Sequence, residues 1–349
     1  MKRITTLCVA ATLRVAAGCA MFACAGVHAQ ESPEKFYAGK TVRILVGYPP
    51  GSTFDTYARV TGKHMAKHIP GQPTLVIQNM PGAGGLNAIA TAANLGPFDG
   101  TTMALSNPQS TTAPLLDPAS AKYDPRKFNW VGSVASETSA CAFVADRVKN
   151  VDDMRGRELI LGATGASGGS AMEGRVLQAI LGFKFKIVTG YPGMVEVRLA
   201  AEKGEVDGQC GLPGSTIKTD LWDQWKSGKI AIPFQAGLID NPDLVGIPNA
   251  YQWVKSEEDR QVFRLVYGPL TYMRPIMLPD NVPADRVAAL RAAFDATMKD
   301  AAFLDEMQKI RLDVRPLSGE KLGELVGQLY ATPAAVIERT KGFVNPEVK

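Results

Sequence analysis

The chain alternates between short apolar runs and amphipathic stretches, with glycine-rich segments at the junctions between them. Residues 42–46 (VRILV) form an apolar run that predicts a buried strand, and the glycines and prolines of residues 47–51 end it. Ser52 or Thr53 can then cap a helix, whose apolar face begins at Phe54. This order of strand, glycine loop and capped helix predicts one unit of an α/β sheet.

The same unit is predicted twice more. Each time the order is strand, loop and helix, over residues 74–78, 81–85 and 86–95, and then over residues 158–162, 163–169 and 170–181. Strands that alternate with helices in this way predict mainly parallel sheets.

The rest of the chain predicts further elements. We expect a strand over residues 186–189, a helix that ends near Lys203, a long extended segment over residues 264–278, and helices over residues 285–299, 301–310 and 319–337. A chain of 349 residues with both helix and strand patterns exceeds the usual size of a single core. We therefore predict two α/β domains joined by short crossing segments.

The N-terminal residues have the pattern of a secretory signal. A charged start precedes an apolar stretch over residues 15–27, and Val-His-Ala at residues 27–29 places small or modest side chains where signal peptidase reads. The stretch is too short to span a membrane. We therefore predict a signal peptide over residues 1–29 and a mature protein in the periplasm. A lipid-attachment site at Cys19 is the alternative, which Arg14 disfavours because it interrupts the preceding apolar stretch.

Removal of the signal also removes most of the net charge. The chain has 38 basic and 34 acidic residues, and three basic residues but no acidic ones lie in the signal, which leaves a net charge of +1. A nearly neutral chain gives no argument for nucleic acid or an anionic membrane surface as a partner.

Two cysteines, Cys141 and Cys210, lie outside the predicted signal. An oxidising compartment permits a disulfide between them, but spacing alone leaves open whether they are bridged or are two small buried residues. Neither cysteine has a Cys-x-x-Cys neighbour, and His64 and His68 lack the further ligands that a metal site needs. We therefore expect no metal.

The glycine loops are the candidate binding site. Each loop follows a strand and precedes a helix, where free N–H groups and the helix dipole favour an anion. In open α/β sheets, ligands bind at the carboxyl ends of the strands, where such loops gather. A single loop of this kind is common in α/β proteins, but three of them in an exported chain favour a site for a carboxylate.

An enzyme is the main alternative. Residues 165–169 (GASGG) match the G-x-S-x-G pattern of serine hydrolases, with Ser167 as the nucleophile. Hydrolases of that fold place the acid and the histidine after the serine, whereas this chain has no histidine after His68. A hydrolase would therefore need an unusual triad with His64 or His68. No dinucleotide or phosphate-loop pattern occurs at a strand-to-helix junction, so we expect no cofactor.

Arg274 lies in a segment predicted to cross between the two domains. A buried arginine there can pair with an acid or face the cleft, and we prefer the structural pairing.

Several segments resemble the substrate-binding receptors of tripartite tricarboxylate transporters, also called Bug-type or TctC-like receptors. Residues 42–59 (VRILVGYPPGSTFDTYAR) are similar to the family's first strand and helix start, with Ser52 where a second glycine is usual. Further similar segments follow in the family's order, at residues 76–88 (VIQNMPGAGGLNA), 98–107 (FDGTTMALSN), 162–170 (GATGASGGS), 188–193 (VTGYPG), 204–208 (GEVDG) and 278–294 (LPDNVPADRVAALRAAF). The resemblance covers essentially all of the mature chain.

The resemblance implies a type II periplasmic-binding-protein fold, in which two α/β lobes close around a ligand. It implies one lobe formed by residues 31–132 and 265–349, and a second formed by residues 133–264. The implied ligand-binding residues are Pro50, Gly51, Ser52, Thr53, Ala83, Gly84, Gly85, Asn107, Thr164, Ala166, Ser167, Ser170, Tyr191, Gly193 and Asp207.

The resemblance also implies a function. The expected ligand is a small organic acid, held by backbone amides, hydroxyls and bridging waters. The expected partner is a two-component membrane permease, and one cleft per chain allows a monomer to work. Such a receptor is not an enzyme. A sensor that presents its closed lobes to a membrane signalling protein is the alternative that the sequence does not separate from transport.

Overall fold

The structure is a computed structural model that describes residues 31–105, 107–119, 121–166 and 168–344. The predicted signal peptide and Ser167 lie outside these residues. The strands are β1 (Thr41–Val46), β2 (Thr74–Asn79), β3 (Thr102–Leu105), β4 (Asn129–Ser133), β5 (Ser139–Val144), β6 (Leu159–Ala163), β7 (Phe185–Thr189), β8 (Gly208–Pro213), β9 (Ile230–Ala231), β10 (Gln235–Ala236), β11 (Pro275–Leu278) and β12 (Leu317–Ser318). The helices are α1 (Pro33–Tyr37), α2 (Thr53–Met65), α3 (Leu86–Leu95), α4 (Ala113–Leu116), α5 (Val151–Gly156), α6 (Gly169–Leu181), α7 (Met194–Glu202), α8 (Gly214–Thr216), α9 (Trp222–Lys226), α10 (Glu257–Tyr267), α11 (Ala284–Thr297), α12 (Ala301–Lys309), α13 (Gly319–Tyr330) and α14 (Ala334–Val344).

The first sheet has the strand order β12-β4-β11-β3-β1-β2. Strand β1, next to the edge strand β2, runs parallel to β2 and β3, so that Ile44 pairs with Ile77 on one side and with Met103 on the other. Strand β11 is antiparallel to both β3 and β4. Strand β4 carries the chain out of this sheet and β11 brings it back, so these two neighbours run in opposite directions.

The second sheet has the strand order β10-β5-β8-β6-β7, with β9 also paired to β5. Strand β6 is parallel to β7 and β8, whereas β5 is antiparallel to β8, β9 and β10. Both sheets are therefore mixed. The predicted parallel pairing is confirmed for the strands that precede glycine loops, but it is wrong for the strands next to the crossing segments.

The two sheets confirm the predicted fold class of two α/β lobes. The first sheet takes its strands from residues 41–133 and 275–318, and the second from residues 139–236. The limits of the lobes stay predictions. The C-terminal helix α14, predicted with the first lobe, packs against α6 and α10 as well as α4.

Two predicted elements are wrong. The segment predicted as extended over residues 264–278 begins inside α10, continues as a 3₁₀ turn over Gly268–Tyr272, and becomes a strand only at Pro275. A short apolar run fits a buried helix as well as a buried strand, so periodicity does not distinguish the two. The helix predicted over residues 319–337 is divided into α13 and α14, because Pro333 lacks the N–H that a continuous helix needs.

A disulfide joins two adjacent strands of the second sheet. Cys141 of β5 is bonded to Cys210 of β8, which confirms the bridge that the sequence left open. Both cysteines are buried in the main apolar cluster, which also contains Tyr57 of α2 and Phe294 of α11. None of the helices in the described part of the chain combines the length and the apolar composition that a membrane crossing requires.

Candidate functional site

The loops at the carboxyl ends of six strands line one cavity of about 380 Å³. From the first sheet come the loops that follow β1, β2 and β3, and from the second come those that follow β6, β7 and β8. Parallel strands end at the same edge of a sheet, so the two sheets present these edges to each other. The cavity has the size and the concave form of a site for a small molecule.

The first loop ends where Ser52 caps α2. The Ser52 hydroxyl accepts a hydrogen bond from the N–H of Asp55 at 3.2 Å, and Gly51 supplies a positive φ of 80° just before it. The Asp55 carboxylate accepts from the Gly51 N–H at 2.9 Å and from Arg59 at 2.8 Å. Burial opposes ionisation of Asp55, but these hydrogen bonds hold its pKa below the usual value. Asp55 and Ser52 therefore hold the loop against the first turn of α2.

The second loop is built from residues that tolerate left-handed backbone. Gly84 and Gly85 have φ values of 64° and 95°, and the Gly84 carbonyl accepts hydrogen bonds from the Tyr48 hydroxyl and from the Asn107 side chain. The two loops of this wall touch closely, since a Cβ on Gly47 would lie 2.7 Å from the Gly85 Cα. A larger residue at Gly47 would therefore push the loops apart.

The opposite wall presents two helix starts whose cap residues are glycines, with no side-chain cap among the described residues. Gly168 precedes α6 and Gly193 precedes α7, and neither residue has a side chain with which to cap. The Thr164 N–H donates to the Ser170 hydroxyl at 3.3 Å, which draws the loop after β6 over the start of α6. Uncapped helix starts at a cavity wall favour an anionic group of a ligand.

Several contacts cross the cavity from one wall to the other. The hydroxyls of Thr53 and Thr216 lie 3.2 Å apart. The Gln109 side-chain amide donates to the Glu173 carboxyl group at 3.1 Å. Gly84 meets the opposite wall so closely that a Cβ there would lie 3.1 Å from the Gly168 Cα. The two walls are therefore in contact around the cavity.

The charged side chains at the cavity are few and mostly acidic. Among the described residues that line it, Arg198 carries the only basic side chain, and it pairs with Asp220 at 3.1 Å. The Glu196 carboxylate lies beside Gly193 at the start of α7. Among the described lining residues the one basic side chain already has an acidic partner, so most of the remaining donors at the cavity are backbone N–H groups and hydroxyls.

Arg274 is fully buried next to α2, behind the wall that the first sheet contributes. Its guanidinium pairs with Glu137 at 3.1 Å and lies 4.0 Å above the ring of Phe54 and 4.6 Å from that of Tyr57. The predicted structural pairing of Arg274 is confirmed, and its acidic partner comes from the segment that connects β4 to β5.

Most of the predicted site residues meet at the cavity. Those that line it are Pro50, Gly51, Ser52, Thr53, Gly84, Gly85, Asn107, Thr164, Ser170, Tyr191 and Gly193. The side chain of Asn107 forms hydrogen bonds within its own wall of the cavity. Its amide oxygen accepts from the Ser110 N–H, and its amide nitrogen donates to the Gly84 carbonyl. Ala83 and Ala166 are exposed and lie outside the lining residues.

Asp207 is not brought to the cavity. It precedes β8, where its carboxylate accepts from the Ile160 N–H at 2.8 Å and pairs with Arg147 at 3.7 Å. This is the amino end of β8, whereas the cavity lies at the carboxyl end of the strand. Asp207 therefore joins strands at the opposite edge of the sheet from the ligand site.

Some lining residues were not predicted from the sequence. They are Tyr48, Gln109, Glu173, Glu196, Arg198, Thr216 and Asp220. The sequence offers one clue for Glu173, which is an acidic residue within the helix predicted over residues 170–181. The structure shows that its position is buried. Thr216 and Asp220 follow no glycine loop, so no local pattern marks them.

The two described histidines, His64 and His68, lie away from the cavity. His64 is 2.7 Å from Glu306, and His68 is 2.9 Å from Asp300, at the carboxyl end of α2 and just beyond it. The cavity lies at the amino end of the same helix. In the described part of the chain, no group of three or more His, Cys, Asp or Glu side chains is placed to hold a metal ion.

Comparison with known proteins relates the chain to solved structures. No family model and no curated protein sequence matches it. The structure of the periplasmic binding protein BugD has 21% sequence identity and a TM-score of 0.70, and the match covers 87% of this chain and 98% of BugD. MatC from Rhodopseudomonas palustris, solved with bound malate, has 20% identity, a TM-score of 0.66, and coverage of 88% and 99%. Another R. palustris protein, solved with adipate, has 19% identity, a TM-score of 0.67, and coverage of 87% and 97%. The chain therefore has the fold of the Bug-type periplasmic binding proteins.

Proposed function

We propose that the mature chain is a periplasmic solute-binding receptor that captures a small organic carboxylate and delivers it to a permease of the tripartite tricarboxylate type. The observation that supports this most is the cavity between the two sheets. Three helix starts, those of α2, α6 and α7, contribute residues to its lining, and two of them have no side-chain cap. Such starts supply N–H groups and positive potential to an anion without a charged side chain.

The solved structures of similar fold support an acidic ligand. MatC holds malate and the other R. palustris protein holds adipate, and both ligands are small carboxylates. At these sequence identities only the fold is shared. The proposed class of ligand therefore depends on the residues of this chain's own cavity.

Recognition would be shared between the two walls. The hydroxyls of Ser52, Thr53 and Thr164 lie at the loops of the cavity and supplement backbone N–H groups and bridging water. A ligand held by both walls stabilises the closed arrangement, in which Thr53 meets Thr216 across the cavity. The permease would then receive the closed form.

Two other functions are weighed against this one. A sensor would use the same cavity and differ only in its membrane partner. A hydrolase would need a base near Ser167, but His64 and His68 pair with Glu306 and Asp300 away from the cavity. We therefore propose a receptor without catalytic activity.

The decisive experiment is calorimetric titration of mature protein that has been unfolded and refolded to remove retained ligand. The titrants are mono-, di- and tricarboxylates, with their neutral amides as controls. We expect one acid to bind at one site per chain with micromolar or tighter affinity, and to be recovered unchanged. Binding of the amides as strongly as the acids would contradict an anion site, and chemical conversion of a bound acid would contradict a receptor.

Transport is tested separately from binding. In cells that produce the permease, uptake of the bound acid should be lost when the receptor gene is deleted. Normal uptake together with loss of a transcriptional response to the acid would identify the sensor instead.

A further inference from the structure

Glu173 is a buried carboxyl group that faces the cavity. It lies in the second turn of α6, its residue is only 3% exposed, and it is part of the cavity lining. The Gln109 side-chain amide donates to Glu173 Oε1 at 3.1 Å from the opposite wall. The same amide packs against Gly169, where a Cβ would lie 3.2 Å from it. Gln109 therefore reaches one oxygen of the carboxyl group from the opposite wall, at the lining of the cavity.

No cation compensates this group. Among the described residues Glu173 forms no ion pair, and Arg198, the basic residue of the lining, is paired with Asp220. Burial raises the pKa of Glu173 to about 8, with the nearby Ser139 hydroxyl opposing the shift. An isolated carboxylate in such surroundings is costly, so the group takes up a proton instead.

Among the described residues packed on α6, Tyr267 is a titratable group that contacts Glu173. The elements that pack on α6 include β6, β7, β8, α10 and α14. From α10, the Tyr267 hydroxyl donates to the Glu173 backbone carbonyl at 3.2 Å. Burial, and then the neighbouring Glu173, raise the pKa of Tyr267 well above its usual value, so Tyr267 stays neutral around pH 8.

We propose that Glu173 determines ligand specificity as a neutral carboxylic acid that donates a hydrogen bond to a second acidic group of the ligand. The inference rests on the proposed function: the first carboxylate lies at the helix starts, and the second lies against Glu173 and Gln109. A neutral acid donates a hydrogen bond to a carboxylate, whereas an ionised one repels it. The preferred ligands are therefore dicarboxylates, and their binding requires the proton on Glu173.

The test compares unbranched dicarboxylates from malonate to adipate with the monocarboxylates of the same chain lengths and with the amino acids aspartate and glutamate. Refolded mature protein is titrated at pH 7 and at pH 9. We expect a dicarboxylate to bind at least about tenfold more tightly than its monocarboxylate at pH 7. Its affinity should fall by about tenfold at pH 9, because the protonated fraction of a group that titrates near pH 8 falls by that factor.

Two variants separate the proton donor from the fold. Glu173→Gln keeps the shape and an N–H donor but has no proton to lose, so it should bind the dicarboxylate at pH 7 within about threefold of the wild type and show no weakening at pH 9. Glu173→Leu removes the donor and should lose the preference for the dicarboxylate. Thermal unfolding of both variants establishes that they are folded, and the Gln variant carries the test if the Leu variant is not.

The outcomes distinguish this inference from the proposed function. Equal binding of mono- and dicarboxylates, or unchanged dicarboxylate affinity between pH 7 and pH 9, would overturn the role of Glu173 and leave the carboxylate receptor intact. Preferred binding of an amino acid that strengthens at pH 9 and is lost in Glu173→Gln would show an ionised Glu173 paired with an ammonium group, which also overturns it. Absence of binding by every acid at both pH values would overturn the proposed function itself.

Discussion

Arg274 and Glu137 form a fully buried ion pair where the chain passes between the two sheets. Arg274 Nη2 lies 3.1 Å from Glu137 Oε1, and the guanidinium stacks 4.0 Å above the ring of Phe54, which lines the cavity. The Glu137 carboxylate also accepts from the N–H and the hydroxyl of Ser215, each at 2.9 Å. The pair therefore connects both crossing segments to a wall of the cavity.

Removal of Arg274 should destabilise the protein strongly. Arg274→Met leaves the Glu137 charge buried without its partner, and we expect the free energy of unfolding to fall by about 3–5 kcal/mol. Denaturant unfolding measures this value. The double variant Arg274→Met with Glu137→Leu should recover most of the loss, because both charges are then gone. A single-variant loss below about 1 kcal/mol would show that the pair is not coupled to folding.

The close approach of Gly84 to Gly168 should control ligand affinity. Gly84→Ala places a Cβ 3.1 Å from the Gly168 Cα and should weaken ligand binding by about tenfold or more, because overpacking costs about 1–3 kcal/mol. The matched control is Gly182→Ala, which has a similar positive φ of 70° but nothing within 4 Å of the new Cβ. Both variants should lose about 1–2 kcal/mol of stability from backbone strain. Ligand affinities are measured by calorimetry. Equal affinities of the two variants would show that the approach of Gly84 to Gly168 does not control ligand binding.

The cap at Ser52 should contribute to both stability and binding. Ser52→Ala removes the acceptor for the Asp55 N–H and should lower the free energy of unfolding by about 1 kcal/mol, whereas Ser52→Gly should lower it by only a few tenths. Both variants lack the hydroxyl at the cavity and should bind the ligand more weakly. If both variants keep the wild-type affinity in calorimetric titration, Ser52 does not belong to the ligand site.

The disulfide should stabilise the second sheet without shaping the cavity. The variant Cys141→Ser with Cys210→Ser should lose about 2–4 kcal/mol of unfolding free energy, since the bridge closes a long segment of chain. Neither cysteine lines the cavity, so ligand affinity should change little. Thiol titration of the purified, unfolded protein checks the bond itself, and two freely reacting thiols would contradict it.

Glu173 should make the stability of the ligand-free protein depend on pH. Its pKa rises from an ordinary value of 4.5 to about 8 on folding, so the folded state holds a proton that the unfolded state releases between these values. The unfolding free energy contributed by this group therefore falls as pH rises from 4.5 towards 8. Glu173→Gln does not titrate, so its stability relative to the wild type should increase over that range, by at most about 1.4 kcal/mol per pH unit. A constant difference between the two proteins would show that Glu173 is ionised when folded.

Local patterns in the sequence predict the cavity's loops but not every element around them. The strand ending at Val46, the cap at Ser52 and the helix Leu86–Leu95 each depend on consecutive residues, so their patterns are visible without the fold. The prediction of an extended segment over residues 264–278 was wrong for the converse reason. Apolar residues are buried at both ends of the segment, in α10 at one end and in β11 at the other, so their burial does not reveal the conformation. Tertiary neighbours decide which conformation each end adopts.

The sequence by itself determined which segments form strand-to-helix loops, because capping, glycine backbone freedom and hydrophobic periodicity are local. The tertiary structure decided which side chains those loops meet. Glu173 lies in a helix that the sequence places at the site, but only the fold turns its side chain to the cavity; Thr216 follows no predicted loop, and Asp207 lies at the other end of its strand. The physical reason is that strand order and the contact of two sheets depend on residues far apart in sequence, so the chemistry between the walls exists only after the chain has closed on itself.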